Sequence, residues 1–330
     1  MINPYLLREA EIVERIEEAS GIFTLRLRFS DPAIQRAYNF QPGQFNMVYL
    51  YGVGEVAISI VSDPRDEHLY DHTIRVVGRV TRGLLQLRTG QYVGIRGPFG
   101  RGWPLQEAQG RDVLIVTGGL GCAPTISVIN YILNRRERYG RLIIMQGVKH
   151  ADDLLWRDRY AQWAQQADTE VLIAADQGAA LWPWHVGLVT ELFDSIRLKP
   201  AQTVVMMCGP EGMMRAAIKQ LAQRGVDEAE IYLSMERNMQ CAVGHCGHCQ
   251  YGLFRPRDRG ALPPCRSLKC RSSCHSVQSA LPLCPSVQDR RAPPHPRDGQ
   301  HARRCRAASN LHQPEDRLPA QLLQGATRPS

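Results

Sequence analysis

The residues most able to do chemistry are three cysteines that lie close together near residue 245. Cys241, Cys246 and Cys249 are separated by four and then two residues, with glycines between them. Glycine lets a backbone fold tightly around a metal and direct amide groups at sulfur. This C-x4-C-x2-C spacing is typical of plant-type [2Fe–2S] sites, which take a fourth cysteine from a more distant position. The spacing therefore predicts an iron–sulfur centre.

The metal and the fourth ligand of this segment are left open by the sequence. A structural zinc site is an alternative, because His245 and His248 could supply ligands, and thiols that bind no metal are another. Cys265 is the nearest further cysteine, fifteen residues beyond Cys249 without counting either end. The predicted ligands are therefore Cys241, Cys246, Cys249 and Cys265.

A second motif joins an apolar run to a glycine-rich turn. Residues 113–116 read Val-Leu-Ile-Val, and Gly118, Gly119 and Gly121 follow, before a helical pattern over 125–133. Glycines in such a turn let a pyrophosphate approach the backbone, and the helix N-terminus adds unpaired N–H groups. A tight turn without a ligand is the alternative interpretation. The predicted contacts of this turn are Gly118, Gly119, Gly121, Ala123 and Pro124.

A third motif repeats the arrangement of strand, turn and helix. Residues 203–207 are β-rich, the turn reads Cys208-Gly209-Pro210-Glu211, and a helical pattern runs over 213–224. Two such turns at the carboxyl ends of neighbouring strands would flank one crevice, where open α/β sheets bind ligands. Cys208 is then a small residue near a nicotinamide or, alternatively, a buried apolar thiol. We predict that all four residues of this turn contact a dinucleotide.

These motifs need elements to position them, and the chain changes its pattern twice. Residues 1–106 show alternating strands such as 22–29 and 73–77, with turns at Pro-Gly and Gly-Pro pairs, which favours a small antiparallel barrel. Residues 107–232 alternate strand and helix, which predicts a doubly wound parallel sheet. Residues 233–252 hold the cysteine segment. Strand positions with Ser and Arg in residues 56–60 and 74–81 could hold a flavin and its diphosphate.

The composition changes abruptly after Gly252. Residues 253–330 hold 13 Arg, one Lys, five acidic residues and 11 Pro, so the net charge of this segment is +9. Residues 1–252 have a net charge of −1, and the whole chain therefore has +8. A basic excess in one terminal segment does not indicate a nucleic-acid-binding face. The segment is predicted to be a disordered basic tail or, in the hypothesis we prefer, the product of a reading frame that slips near Gly252. In the second case the true fourth ligand is lost and Cys265 is accidental.

The composition also bears on the compartment. The first residues lack the basic and apolar regions of a secretory signal, and no run of 18 apolar residues predicts a membrane span. We therefore expect a cytoplasmic protein, in which ten cysteines are ligands or free thiols rather than disulfides.

Taken together, these segments resemble the ferredoxin–NADP reductase-like family. The most similar branch comprises the gamma subunits of cytoplasmic nickel–iron hydrogenases (sulfhydrogenases), together with the electron-transfer subunits of anaerobic sulfite reductase and of type B dihydroorotate dehydrogenase. The resemblance covers about residues 5–252 and rests on the stretches 54–60, 95–100, 118–124, 207–211 and 236–249. Relatives continue past the third cysteine with an aromatic strand, a fourth cysteine and an Asp-Gly-Pro turn, which this chain lacks.

The resemblance implies an FAD-binding barrel, an NAD(P)-binding domain and a C-terminal [2Fe–2S] site. Many flavin reductases carry Arg-x-Tyr-Ser on the flavin strand, where this chain has Val-Ala-Ile-Ser without the Arg or the aromatic residue. By analogy, the flavin-binding residues are Val56, Ala57, Ile58, Ser59, Ile74, Arg75, Val76, Val80 and Thr81.

The function that the resemblance implies is electron transfer between NAD(P)H, FAD and a [2Fe–2S] cluster. The partner is another subunit of a redox complex, for which a nickel–iron hydrogenase is our choice. One alternative is an electron-transfer subunit of sulfite reductase or dihydroorotate dehydrogenase. Another is a nucleotide-binding or assembly module that holds no cluster. No catalytic acid, base or nucleophile is expected. Lys149, Arg157 and Arg159 could meet the 2′-phosphate of NADPH or could be exposed helix charges.

Overall fold

The computed structural model describes residues 3–65, 69–235 and 239–248. The first part is an antiparallel sheet of six strands: β1 (Arg8–Ala19), β2 (Ile22–Phe29), β3 (Phe45–Leu50), β4 (Gly54–Ser59), β5 (Tyr70–Arg75) and β6 (Tyr92–Phe99). Their order is β4-β3-β6-β1-β2-β5. The two outer strands, β4 and β5, also contact each other, so the sheet curls into a barrel.

Alternation along these strands explains the barrel. Phe23, Leu25 and Leu27 on β2 are almost fully buried, whereas Arg26 and Arg28 point outward to carboxylates on β1 and β5. Side chains of successive strand residues point to opposite faces, so one face fills the barrel and the other meets solvent. Two short helices, α1 (Pro32–Ala37) and α2 (Arg79–Gln86), complete this part.

The second part is a parallel sheet of six strands: β7 (Asp112–Gly118), β8 (Leu142–His150), β9 (Thr169–Gln177), β10 (His185–Val186), β11 (Thr203–Cys208) and β12 (Ile231–Ser234). Their order is β10-β9-β8-β7-β11-β12, so the strand order reverses between β7 and β11. The connecting helices include α3 (Ala123–Leu133), α4 (Arg157–Trp163) and α5 (Glu211–Gln223). The predicted fold class, a barrel followed by a doubly wound domain, is confirmed.

Burial explains why the central strands read as unbroken apolar runs. All seven residues of β7 and all six of β11 are buried, because helices cover both faces of the sheet. One core cluster packs α3 and Tyr160 against one face, and another packs α5 and Phe193 against the other. The predicted boundary at residues 106/107 falls between β6 and β7.

One local expectation was wrong. Residues 78–81 do not continue a strand, because β5 ends at Arg75 and α2 begins at Arg79. Gly78 is extended, and the Thr81 hydroxyl accepts hydrogen bonds from the amides of Val77 and Gly78 at 3.0 and 2.9 Å. A β-branched, strand-like stretch is thus turned into a helix start by a side chain that binds the preceding backbone. Val80 and Thr81 therefore sit in the first turn of a helix.

None of the described helices is long and apolar enough to cross a membrane.

Candidate cofactor site at the ends of β7 and β11

The two predicted turns stand side by side at the carboxyl ends of adjacent parallel strands. β7 pairs with β11 from Asp112 to Thr117, so both strands end at the same edge. After β7 the chain makes a tight helical turn over Gly119–Cys122 before α3 starts, with Pro124 in its first turn. After β11, Gly209 and Pro210 lead directly into α5. The strand order reverses at this edge, which is the usual place for a ligand in an open α/β sheet.

The glycines of these turns have two different roles. Gly119 has a positive φ of 55°, and a Cβ there would meet no atom within 4 Å. Gly121 has no positive φ, and a Cβ there would overlap the carbonyl group of Cys208. A Cβ at Gly118 would overlap Met213 and Pro210. A Cβ at Gly209 would overlap Met213 and the backbone of Gly118, so these two glycines also allow the turns to pack closely. Gly121 therefore lets the two turns touch, and its contact with a pyrophosphate stays a prediction.

This difference predicts that Gly121→Ala destabilises the fold more than Gly119→Ala does. The methyl group at position 121 meets backbone that cannot swing aside, and overpacking costs about 1–3 kcal/mol. At position 119 the methyl group meets open space, so only the left-handed backbone is penalised, by about 1–2 kcal/mol. Urea unfolding of both variants measures this. Equal free energies of unfolding would contradict the assignment of Gly121 to turn packing.

A cavity of about 300 Å³ opens between the barrel and this edge of the sheet. It joins residues of the barrel to residues of both turns. The lining residues are Arg75, Gly118, Gly119, Leu120, Gly121, Gly209, Pro210, Glu211, Met214 and Met235. Seven of them were predicted as site residues. Leu120, Met214 and Met235 were not, because apolar side chains in a helical or strand pattern read as core.

Arg75 is the charged barrel residue in this cavity. It is the last residue of β5, and its exposed side chain has no hydrogen bond or ion pair with any other described residue. A guanidinium group offers up to five N–H donors in one plane, which suits phosphate oxygens. The first amides of α2 follow four residues later and lack a capping side chain. The arrangement is able to bind an anion.

The other predicted flavin residues line β4 and the approach to α2. Val56, Ala57, Ile58 and Ser59 are half-buried on β4, which lies next to β3 and contacts β5. Ile74 is fully buried in the barrel core. Val56, Ile58, Val76 and Val80 are partly buried and pack against that core. Their apolar character is thus partly explained by packing, and their contact with a flavin stays a prediction.

A buried polar network that the sequence did not reveal lies behind Ser59. The Tyr38 hydroxyl donates to Asn46 Oδ1 at 2.6 Å, so the Asn46 amide nitrogen faces His72 Nε2, at 3.2 Å. Nε2 must then accept, and Nδ1–H donates to the Ser59 carbonyl oxygen at 2.9 Å. Burial lowers the pKa of His72 below its usual value, in agreement with the neutral form. The network holds the end of β4 in place.

Three further predicted contacts are neighbours of lining residues in the sequence but do not line the cavity themselves: Ala123, Pro124 and Cys208. Ala123 is buried, and the Pro124 carbonyl accepts a hydrogen bond from Trp103 Nε1 at 3.0 Å. Cys208 is 2% exposed. Its buried side chain agrees with the alternative interpretation of a packed thiol, and its backbone carries the contact to Gly121.

The basic residues considered for the 2′-phosphate of NADPH lie in the parallel-sheet domain and are not part of the cavity lining. Arg157 is over the rings of Trp182 and Trp184, and Arg159 is over Trp156. Lys149 is exposed at the end of β8. Stacking on aromatic rings accounts for both arginines, so their positions do not distinguish NADH from NADPH.

The cysteine segment is described as far as His248. Its backbone bends through left-handed residues at Ala242, Gly244 and Gly247, and the amides of His245 and Cys246 point at Cys241 Sγ, at 3.2 and 3.4 Å. Hydrogen bonds with the backbone of Cys241 and His248 lower the pKa of the Cys246 thiol. Within the described residues no group of three ligands surrounds a metal position. The predicted ligands Cys249 and Cys265 lie outside the described residues.

Comparison with known proteins agrees with this architecture. A family model for the oxidoreductase NAD-binding domain matches residues 115–219. The sulfhydrogenase 1 gamma subunit of Pyrococcus furiosus is 33% identical over 254 residues, which is 76% of this chain and 86% of the relative. A probable dihydroorotate dehydrogenase B (NAD+) electron transfer subunit of Methanocella arvoryzae is 34% identical over 243 residues, which is 73% of this chain and 83% of the relative.

Solved structures share the fold at lower identity. A ferredoxin NADP+ reductase from Neisseria gonorrhoeae, with bound FAD and NADP, has a TM-score of 0.58 at 20% identity and covers 71% of this chain and 95% of its own. A structure of the NADH-dependent reduced ferredoxin-NADP oxidoreductase, described for flavin-based electron bifurcation, has a TM-score of 0.59 at 23% identity. The match covers 73% of this chain and 80% of the oxidoreductase chain.

Proposed function

Because this chain belongs to the ferredoxin–NADP reductase-like family of oxidoreductase subunits, together with sulfhydrogenase gamma subunits and dihydroorotate dehydrogenase electron-transfer subunits, we propose that it is a cytoplasmic electron-transfer flavoprotein subunit. It passes electrons between NAD(P)H, FAD and a [2Fe–2S] cluster to a partner redox subunit, a nickel–iron hydrogenase. The observation that carries the proposal is the cavity in which Arg75 of the barrel faces both glycine-rich turns of the parallel sheet.

The residues present fit the two nucleotides. Arg75 supplies a cation without a partner among the described residues, and Gly119 leaves open space in the turn where a larger residue would project. A flavin held there would supply the conversion between two-electron hydride transfer and one-electron transfer. Arg75 and the first amides of α2 would hold the FAD diphosphate. The turns at 118–121 and 209–211 would hold the dinucleotide, and the His72 network would fix the strand that carries Ser59.

The cysteine segment fits a cluster in its donor set and loop geometry. Amides that point at a cysteine sulfur stabilise thiolate charge, and left-handed glycines allow the turn that this requires. Cys241, Cys246 and Cys249 would supply three of the ligands of a [2Fe–2S] centre. Whether Cys265 is the fourth ligand depends on the origin of residues 253–330.

The purified chain, reconstituted with FAD and desalted, should be yellow. Arg75, which has no partner among the described residues, lies four residues before the start of α2, and a guanidinium beside helix amides suits a diphosphate. Absorbance of the desalted protein in the flavin bands measures retention, and bleaching by NADH or NADPH under anaerobic conditions tests the second nucleotide. A folded chain that loses all flavin on desalting would refute the flavin assignment.

A second candidate partner is favoured by the 34% identity to a dihydroorotate dehydrogenase electron transfer subunit. The two candidates differ in the metal content of the complex. Purification of the tagged chain from its natural host should co-purify a nickel-containing subunit. A partner without nickel that oxidises dihydroorotate would support the second candidate instead.

A further inference from the structure

A buried arginine joins three distant parts of the chain. Arg96, on β6, is only 6% exposed. Its Nε and Nη2 atoms donate to the two carboxylate oxygens of Glu55 at 2.9 and 2.7 Å, and Nη1 donates to the Pro4 carbonyl at 2.9 Å. Nη2 also donates to the Gln240 carbonyl at 3.3 Å, and Nη1 lies 3.5 Å from the Cys241 carbonyl oxygen. All the nitrogens of the guanidinium group are thus engaged.

Two of the three segments that meet at Arg96 carry predicted cofactor-binding residues. Glu55 belongs to β4, the predicted flavin strand, and Gln240 and Cys241 begin the cysteine loop, by which we mean residues 239–248. The N-terminal segment makes a second contact with this loop, because the Tyr5 hydroxyl lies 2.6 Å from His245 Nδ1 and the two rings stack. The cysteine loop is therefore attached to the rest of the chain at two separate points.

The chemistry of the contact requires an arginine. The bidentate bond to Glu55 fixes the plane of the guanidinium group, and its remaining N–H groups then point in set directions at the carbonyls of Pro4 and Gln240. A lysine would offer a point charge that could not make all of these bonds at once. Burying the pair without its partners would be costly, so the loop carbonyls also satisfy donors that would otherwise lack acceptors.

We propose that Arg96 is a positioning residue that holds the cysteine loop at a fixed place against flavin strand β4. The inference rests on the proposed function, because it assigns the reason for this placement to electron transfer between a flavin and a thiolate-bound metal. Transfer between two redox centres falls steeply with their separation, so a loop that carries one of them needs a rigid attachment to the strand that carries the other.

Hydrogen exchange of the full chain tests the attachment. In Arg96→Gln, amide exchange in peptides that cover residues 239–248 should become at least about tenfold faster, because hydrogen bonds from a charged donor are lost. Exchange in the parallel sheet should not change. Arg28→Gln is the matched control, because Arg28 also pairs with a barrel glutamate but is exposed and does not contact the cysteine loop. A double variant, Arg96→Gln with Glu55→Gln, leaves no lone buried charge and guards against misfolding.

Cobalt(II) provides a spectroscopic measure of how well the thiols are held. Thiolate–cobalt bonds absorb in the near ultraviolet, so anaerobic titration of the metal-free chain gives an affinity without any cluster. We expect this affinity to fall about tenfold in Arg96→Gln and in the double variant, and to be unchanged in Arg28→Gln. Arg96→Lys should recover only part of the loss, since lysine restores the charge without the planar set of donors.

Unchanged loop exchange together with unchanged cobalt affinity in Arg96→Gln would overturn the inference. Faster exchange across the whole barrel and sheet would also overturn it, since Arg96 would then serve general stability. Failure of the proposed function would give a different experimental result. A chain that assembles no iron–sulfur cluster, but whose loop exchange and cobalt affinity still depend on Arg96, would refute the cluster and leave the positioning role standing.

Discussion

Restoring the alternative reading frame after Gly252 should raise the iron and acid-labile sulfide of the anaerobically reconstituted chain toward two each per flavin. The expectation follows from the ligand count. Three thiolates, Cys241, Cys246 and Cys249, have ligand spacing, but a [2Fe–2S] centre takes four protein ligands. Residues 253–330 hold 11 Pro and 13 Arg, and their sequence shows no alternating pattern that would predict a strand carrying a fourth thiol. Metal and sulfide analysis, with resequencing of the coding DNA, measures this.

Two serine variants separate the accidental cysteine from the true ligands. In the restored chain, Cys246→Ser should abolish the paramagnetic signal of the reduced cluster, because the site loses one of its thiolates. In the unmodified chain, Cys265→Ser should leave iron and sulfide unchanged. If the unmodified chain already holds a full cluster, and Cys265→Ser removes it, the frame-slip hypothesis is wrong and Cys265 is the fourth ligand.

The extent of the similarity to relatives supports the same hypothesis. The match to the sulfhydrogenase 1 gamma subunit spans 76% of this chain, so about a quarter of the chain lies outside it. The relative is covered to 86% of its own length, so only a small part of it has no counterpart here. A frame slip late in the coding sequence would produce such a pattern.

The fold was predictable because each half carries the period of its own elements. Half-buried strands such as β2 alternate, and fully buried strands such as β7 and β11 form short apolar runs that end next to glycine. Both signals are local and survive in a single sequence. The positions of the two turns followed from the rule that neighbouring parallel strands end at the same edge, and the cavity lies there.

The details that were missed depend on contacts between residues far apart in the chain. Gly121 reads as a phosphate glycine, and the motif does not reveal its packing against the carbonyl of Cys208, 87 residues later. His72 and Arg96 read as ordinary polar residues of strands, and only the fold brings them to Ser59 and to Gln240. No periodicity encodes such pairs, so a single sequence cannot reveal them.

Arg75→Gln should weaken FAD binding about 10- to 100-fold while leaving the fold intact. The Arg75 side chain is exposed and has no partner among the described residues, so its replacement breaks no internal contact there. Its loss removes charge-assisted hydrogen bonds to a diphosphate, which are worth about 1.5–3 kcal/mol. Fluorescence titration of the flavin-free chain with FAD measures the dissociation constant, and thermal unfolding without flavin should give the wild-type midpoint.

The cavity contains residues of both proposed nucleotide sites, so the same variant also decides which nucleotide Arg75 serves. The matched control is Arg28→Gln, which removes a barrel arginine of equal charge that already pairs with Glu11 and is absent from the cavity lining. We expect unchanged FAD affinity in the control. If Arg75→Gln retains FAD normally but raises the NAD(P)H concentration needed to reduce it, Arg75 belongs to the dinucleotide site. Normal behaviour toward both nucleotides would show that the Arg75 guanidinium faces solvent rather than a ligand, and the cavity would lose the charge on which the proposed function depends.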